Sequence, residues 1–156
     1  MKKLIYAFIF CVVASACSKS DGDNSSNTPT PTPATKTELI TAKPWKYTAW
    51  TVNPPVKDNN NNSITDILGN KPACDQDDIL IFNANGNVIF DQGPTKCDDA
   101  TPQTSTAGWA FKAGETQMDM ANRLYNIKTL TANELKIEFE DIVGNKIHIH
   151  TVTFNH

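Results

Sequence analysis

Beyond residue 36 the chain has only two serines, Ser63 and Ser105, and neither sits in the Gly-x-Ser-x-Gly setting of a nucleophile elbow. There is no His-Glu-x-x-His pair for a zinc peptidase and no glycine-rich loop to cradle phosphate. Past Lys2-Lys3, lysine and arginine never cluster, so the electrostatic footprint of nucleic-acid binding is missing. Nor is there a basic amphipathic helix to lie on anionic lipid. The longest apolar run, Leu4 to Val13, has ten residues, against the roughly 20 that a membrane-spanning helix needs. Glu138 and Glu140 are a pair of acids on one strand, but alternation puts them on its wet face. These absences predict a protein that is not an enzyme, needs no cofactor and binds no nucleic acid.

What is present begins with an address. Lys2 and Lys3, the apolar run and Ala14-Ser15-Ala16 form the three parts of a secretory signal over residues 1–16. The next residue is Cys17. Ala14-Ser15-Ala16-Cys17 resembles a lipobox, with Ala14 where leucine is commonest, and this implies a diacylglycerol on the Cys17 thiol. Removing Lys2 and Lys3 with the signal leaves 12 of the 14 basic residues against 17 acidic ones, a net charge of −5. Membrane attachment is therefore expected through the lipid on Cys17 alone. The implied location is the cell envelope, anchored to the outer membrane, with the periplasmic or surface face open. Ser18-Lys19-Ser20-Asp21-Gly22-Asp23 loosely resembles acidic surface-export signals.

Residues 17–36 read as a tether. Ser18 to Thr35, SKSDGDNSSNTPTPTPAT, carries one apolar side chain, Ala34, and a Thr-Pro alternation that restricts φ and removes donors. In polyproline form it spans at most roughly 50–60 Å. Cys11 leaves with the signal and Cys17 is lipidated, so Cys74 and Cys97 remain. The alternatives for them are a disulfide, two free thiols or a metal pair. Their spacing is a poor zinc signature, and an oxidising compartment favours the disulfide.

The folded domain is expected over residues 37–156. Thr37 to Lys43 suggests a short N-terminal helix capped by Thr37 and stopped before Pro44. Strands follow at Trp45 to Val52, which Pro54-Pro55 should end, then at Ile79 to Phe82 and Val88 to Asp91. Between them, Lys57 to Ser63 reads as a mobile polar loop and Ile64 to Leu68 as a helical turn. Gly86 suits the left-handed position of a three-residue hairpin loop, a register that pairs Leu80 with Phe90 and Phe82 with Val88. Ser105 to Lys112, Gln117 to Met120 and Arg123 to Leu130 are three further strands. Leu135, Ile137 and Phe139 alternate with Lys136, Glu138 and Glu140, and Gly144-Asn145 turns the chain into a return strand from Lys146 to Phe154. That hairpin pairs Leu135 with Phe154, Ile137 with Val152, Phe139 with His150 and Asp141 with His148. The result is an all-β fold of eight short antiparallel strands, without internal repeats, closing as a barrel or packing as a sandwich.

Trp45-Lys46 after a leading helix, Cys74…Asp77-Asp78…Phe82-x-x-x-Gly86, Cys97, Gly108-Trp109-x-Phe111 and Leu130-Thr131-x-x-x-Leu135 together resemble the lipocalin-like domains of Gram-negative lipoproteins. The resemblance covers most of Thr37 to Phe154. Lipocalins proper carry Gly-x-Trp in their first strand, and Ala42-Lys43-Pro44-Trp45 lacks that glycine. What the resemblance implies is an eight-stranded antiparallel barrel able to hold a small apolar molecule. A barrel of that size is either filled by side chains or just wide enough for one small ligand.

Trp45, Tyr47, Trp109, Phe111, Tyr125 and Phe139 are the candidate ligand-binding residues, with Trp50, Phe82, Phe90 and Phe154 completing the large aromatic set. The competing assignment for all of them is plain core. His148 and His150 share a strand face with Asp141 opposite, a candidate metal set set against a hydrogen-bonded polar rim. Asp75, Asp77, Asp78, Asp98 and Asp99 flank the two cysteines and would suit calcium if gathered, or form a solvated acidic loop. Asp58-x-Asn60-x-Asn62 mimics the start of an EF-hand, but Ser63 holds the glycine position and Gly69 that of the bidentate glutamate. The leading functional expectation is a ligand-binding module. Its rival is an interaction domain with a filled core, meeting a protein partner through loops 57–72 and 94–104.

Overall fold

A computed structural model describes residues 32–156; the expected signal, the expected lipidation at Cys17 and residues 17–31 of the expected tether lie outside the described residues. The element order is α1 (Lys36–Thr41), β1 (Trp45–Lys57), β2 (Ser63–Asp66), a 3₁₀ turn (Leu68–Asn70), α2 (Ala73–Gln76), β3 (Ile79–Phe82), β4 (Asn87–Asp91), β5 (Thr104–Lys112), β6 (Gln117–Met120), β7 (Arg123–Leu130), β8 (Glu134–Val143) and β9 (Lys146–Asn155). Every pairing is antiparallel. β3 to β9 follow one another as a meander, and β1 joins its two ends by pairing with both β3 and β9. Eight strands thus form a closed barrel. β2 is a ninth strand, folded back along the outer half of β1.

That ninth strand corrects the sequence reading of this region. β1 does not stop at Pro54-Pro55 but runs on to Lys57, because the prolines fall in an irregularity between the Thr51–Asp66 and Val56–Ile64 pairs, where no ladder donor is needed. Ser63–Asp66 is a strand, not a helical turn. The Asp58 carboxylate holds the turn between β1 and β2, accepting from the Asn60 and Asn62 amides (2.9 and 2.7 Å) and from Asn62 Nδ2 (2.9 Å). These bonds hold its carboxyl below the usual range. The EF-hand mimic is therefore a turn whose carboxylate is already spent.

Two bulges explain how the alternation survives in long strands. The β1–β9 register shifts between Tyr47 and Ala49, so the inward set changes from Trp45 and Tyr47 to Trp50 and Val52. A shift between Ile127 and Thr129 does the same in β7, from Tyr125 and Ile127 to Leu130. The hairpins match expectation: Leu80 pairs with Phe90 and Phe82 with Val88, Gly86 has φ +84°, and all four β8–β9 pairs fall in place.

One end of the barrel is plugged. α1 starts at Lys36 rather than Thr37, because Thr35 is the true cap: its hydroxyl accepts from the Glu38 amide (3.2 Å), and Glu38 Oε2 accepts from the Thr35 amide (2.7 Å). The helix lies against β3 and β7 and buries Ile40 completely. Trp45, also fully buried, donates its indole N–H to the Ile40 carbonyl (2.8 Å). His156 closes over it, its ring centroid 3.8 Å from the indole and its Nδ1–H on the Pro44 carbonyl (2.9 Å). Leu80, Phe82, Val88, Met118, Leu135 and Phe154 fill the adjacent interior.

Candidate functional site

The opposite end is built differently. Here the inward side chains of β1, β7, β8 and β9 are aromatic and polar. Trp50 donates its indole N–H to His150 Nδ1 (3.0 Å), which leaves the imidazole proton on Nε2. The His150 ring stacks on Phe139 at 4.7 Å with planes 2° apart. Tyr125 meets Phe139 edge-on (5.4 Å), and the Arg123 guanidinium lies 4.6 Å from the same ring. Burial lowers the pKa of His150, the nearby Asp141 raises it, and His148 and Arg123 lower it further. It is a neutral, hydrogen-bonded member of an aromatic stack.

Three cavities border Tyr47; one of them, of about 30 Å³ between Trp50, Leu68, Lys71, Asp75 and Asp78, is too small for a ligand, and the other two differ in size and lining. The inner one, about 90 Å³, is lined by Tyr47, Trp50, Met120, Arg123, Tyr125 and Phe139, with Ile137, Val152 and Phe154 behind them. It holds only a few atoms. The outer one, about 350 Å³, opens where β3, β4 and the start of β5 reach the barrel mouth. Its walls are Tyr47, Ile79, Leu80, Phe90, Asp78 and Asp91, and Gln92, Thr101, Pro102, Thr104 and Ser105 form its rim. Only the outer cavity reaches the roughly 300–1,000 Å³ typical of small-molecule sites.

The rim is knitted in place. Cys74 and Cys97 form a disulfide (S–S 1.99 Å, Cα–Cα 5.2 Å) that ties α2 to the segment after β4. Gly93, at φ +65°, passes so close to the Asp77 carbonyl that a Cβ there would collide with it. Asp77 Oδ2 accepts from the Thr95 amide (3.0 Å). The Gln103 side-chain amide bonds both Asp91 Oδ1 (2.6 Å) and the Gly93 carbonyl (2.9 Å). Gln92 bonds the Gln103 and Pro102 carbonyls, through its backbone and side chain respectively. A segment with no regular structure is thereby held as a wall.

Electrostatically this wall is acidic. Asp75 is paired with Lys71 (3.2 Å), and Asp91 accepts from Gly93 and Gln103. Asp78 accepts no hydrogen bond among the described residues. Burial, then the neighbouring Asp75 and Asp77, push its carboxyl above the usual range. The Tyr47 hydroxyl is pushed up by burial and then by Asp78, Tyr125 and Asp75, so it stays a proton donor.

Of the six residues expected to bind ligand, Tyr47, Tyr125 and Phe139 line the inner cavity, and Tyr47 faces both. Trp45 belongs to the plug. Trp109 is held at the far side, donating to the Asn83 carbonyl (3.0 Å), with Phe111 edge-on to it at 5.3 Å. His148 and His150 do lie inward on one face, buried at 5% and 8% exposure. They do not converge with Asp141: His148 donates Nδ1–H to the Pro54 carbonyl (2.8 Å), while the exposed Asp141 accepts from the Ile142 amide (3.0 Å). Nor do the five aspartates gather. Among the described residues, the single trio of metal-ligating type within 4.8 Å is Cys74, Asp75 and Cys97, and its two sulfurs are bonded to each other. Asp78, offered above as a ligand only for calcium, and Arg123 are cavity residues that the sequence reading does not assign, and Phe90, a member of the large aromatic set, lines the outer cavity. An aspartate directly before a strand that starts at the barrel mouth was the signal available for the first. Glu138 points outward as expected, paired with Lys128 (3.2 Å).

No protein-family model matches the chain, and a search of curated proteins finds no match.

Proposed function

We propose that this is a lipid-anchored envelope lipoprotein whose lipocalin-like barrel binds a small, largely apolar molecule at its mouth without catalysis. The observation that carries the reading is the outer cavity of about 350 Å³, walled by Tyr47, Ile79, Leu80 and Phe90 and kept open by a cross-linked rim. A packed barrel with no further role would gain by covering that apolar wall, since apolar surface left against water forgoes hydrophobic stabilisation. Lipidation at Cys17, as the lipobox resemblance implies, would hold the barrel on the outer membrane, within reach of apolar molecules that partition there.

Native mass spectrometry of the protein purified from its own host tests this. Copurified small molecules, lost when Phe90→Trp fills the mouth, are the expected result. A clean mass of the ligand-free chain, with no uptake of apolar probes, would overturn it. A second reading has one specific observation in its favour. Ile142, Val143 and Ile147 at the β8–β9 tip are 70%, 52% and 56% exposed, which suits a protein partner. Under that reading the same preparation would carry a stoichiometric protein instead.

A further inference from the structure

The mouth cavity has a definite charge preference. Its lining contains two carboxylates, Asp78 and Asp91, and no lysine or arginine. Asp91 is engaged by Gly93 and Gln103, which hold its Oδ1. Asp78 has no such donor among the described residues; Lys71 lines a small adjoining cavity with Asp75 and Asp78 and its charge acts on both, but its contact, at 3.2 Å, is with Asp75. Tyr47 and Phe90 present aromatic rings in the same space. A ligand that covers Asp78 without answering its charge leaves a buried, unpaired carboxylate, which is costly. An anionic ligand adds like-charge repulsion. A cation answers the carboxylate and also suits the negative faces of the rings.

We propose that the mouth selects apolar molecules bearing a protonated amine, with the ammonium against Asp78 and the Tyr47 ring and the hydrocarbon against Ile79, Leu80 and Phe90. This deepens the ligand-binding reading and rests on it. The inner cavity has the opposite character, with Arg123 in its lining. The two spaces therefore divide by charge, and the larger one takes the cation.

The test uses three probes of one shape: 2-phenylethylamine, 2-phenylethanol and phenylacetate, titrated calorimetrically into the full-length chain at pH 7. The amine should bind about tenfold more tightly than the alcohol, as a charge-assisted contact at a partly exposed site predicts, and phenylacetate most weakly. In Asp78→Asn the amine should fall to the level of the alcohol. Equal binding of amine and alcohol to the unaltered chain would refute the charge preference while leaving an apolar site. No binding of any probe would remove the ligand-binding reading with it. The ratio measured on the unaltered chain decides the matter even if the variant fails to fold.

Discussion

Replacing both half-cystines, in Cys74→Ala/Cys97→Ala, should separate what the disulfide does for the barrel from what it does for the mouth. The bridge joins residues 23 apart in sequence. Closing a loop of that length removes conformational entropy from the unfolded chain worth about 3 kcal/mol. For a domain of this size the loss corresponds to a fall in Tm of about 10–15 °C. The barrel ladders do not pass through the bridge, so the strands should persist below the new Tm. The rim should loosen first, because α2 then depends on the Lys71–Asp75 pair and the Asp77–Thr95 hydrogen bond. Thermal unfolding followed by circular dichroism gives the shift, and probe binding well below Tm gives the state of the mouth. Repeating the melt in about 1 M salt, where screening reduces the Debye length to about 3 Å, removes repulsion among the aspartates as an alternative cause. A fall of less than about 4 °C, or one that salt restores, would refute the entropic account.

Two further outcomes follow from single groups. His150 has its folded-state pKa lowered from 6.5, chiefly by burial, so between its folded value and 6.5 the unfolded chain binds the extra proton. The stability it contributes is complete above pH 6.5 and is lost as pH falls through the folded pKa; Tm should drop from pH 7.5 to 5.5, and His150→Phe should flatten that part of the profile. Gly93→Ala should cost about 1–3 kcal/mol and abolish probe binding, since φ is +65° and the new Cβ meets the Asp77 carbonyl. Gly114→Ala is the control, at φ +63° with open space around it, and should cost about 1 kcal/mol in a denaturant melt without touching the mouth. Equal costs for the two would show that the rim does not press on Asp77.

Much of the barrel was readable because a strand with one buried face writes a period of two into its residues. Leu135, Ile137 and Phe139 against His150, Val152 and Phe154 leave a single register that keeps every apolar side chain inside. Turn chemistry did the same at Gly86, whose positive φ suits a residue without a Cβ. The failures fall where local pattern and distant partner disagree. Ser63–Asp66 has no strand-like alternation of its own; it is extended because β1 offers an unpaired outer edge beyond Thr51. Helix capping falls two residues away from Thr37 although the signal is in the sequence: Thr35-Lys36-Thr37-Glu38 has the Thr-x-x-Glu spacing of a capping box, whereas Thr37 has Ile40 at the third position.

For the candidate site the division is sharper. Residue types and their alternation were enough to place aromatic rings inside a closed sheet and to nominate Cys74 and Cys97 as partners, since both follow from periodicity and compartment. Which rings plug one end, which line a cavity, and which carboxylate is left without a donor depend on positions along the barrel axis. Those positions are set by two bulges, a helix plug and a cross-linked rim, all of them contacts between residues far apart in the chain. Trp45 and Tyr47 are neighbours on one strand face, yet one seals the closed end and the other stands at the open mouth.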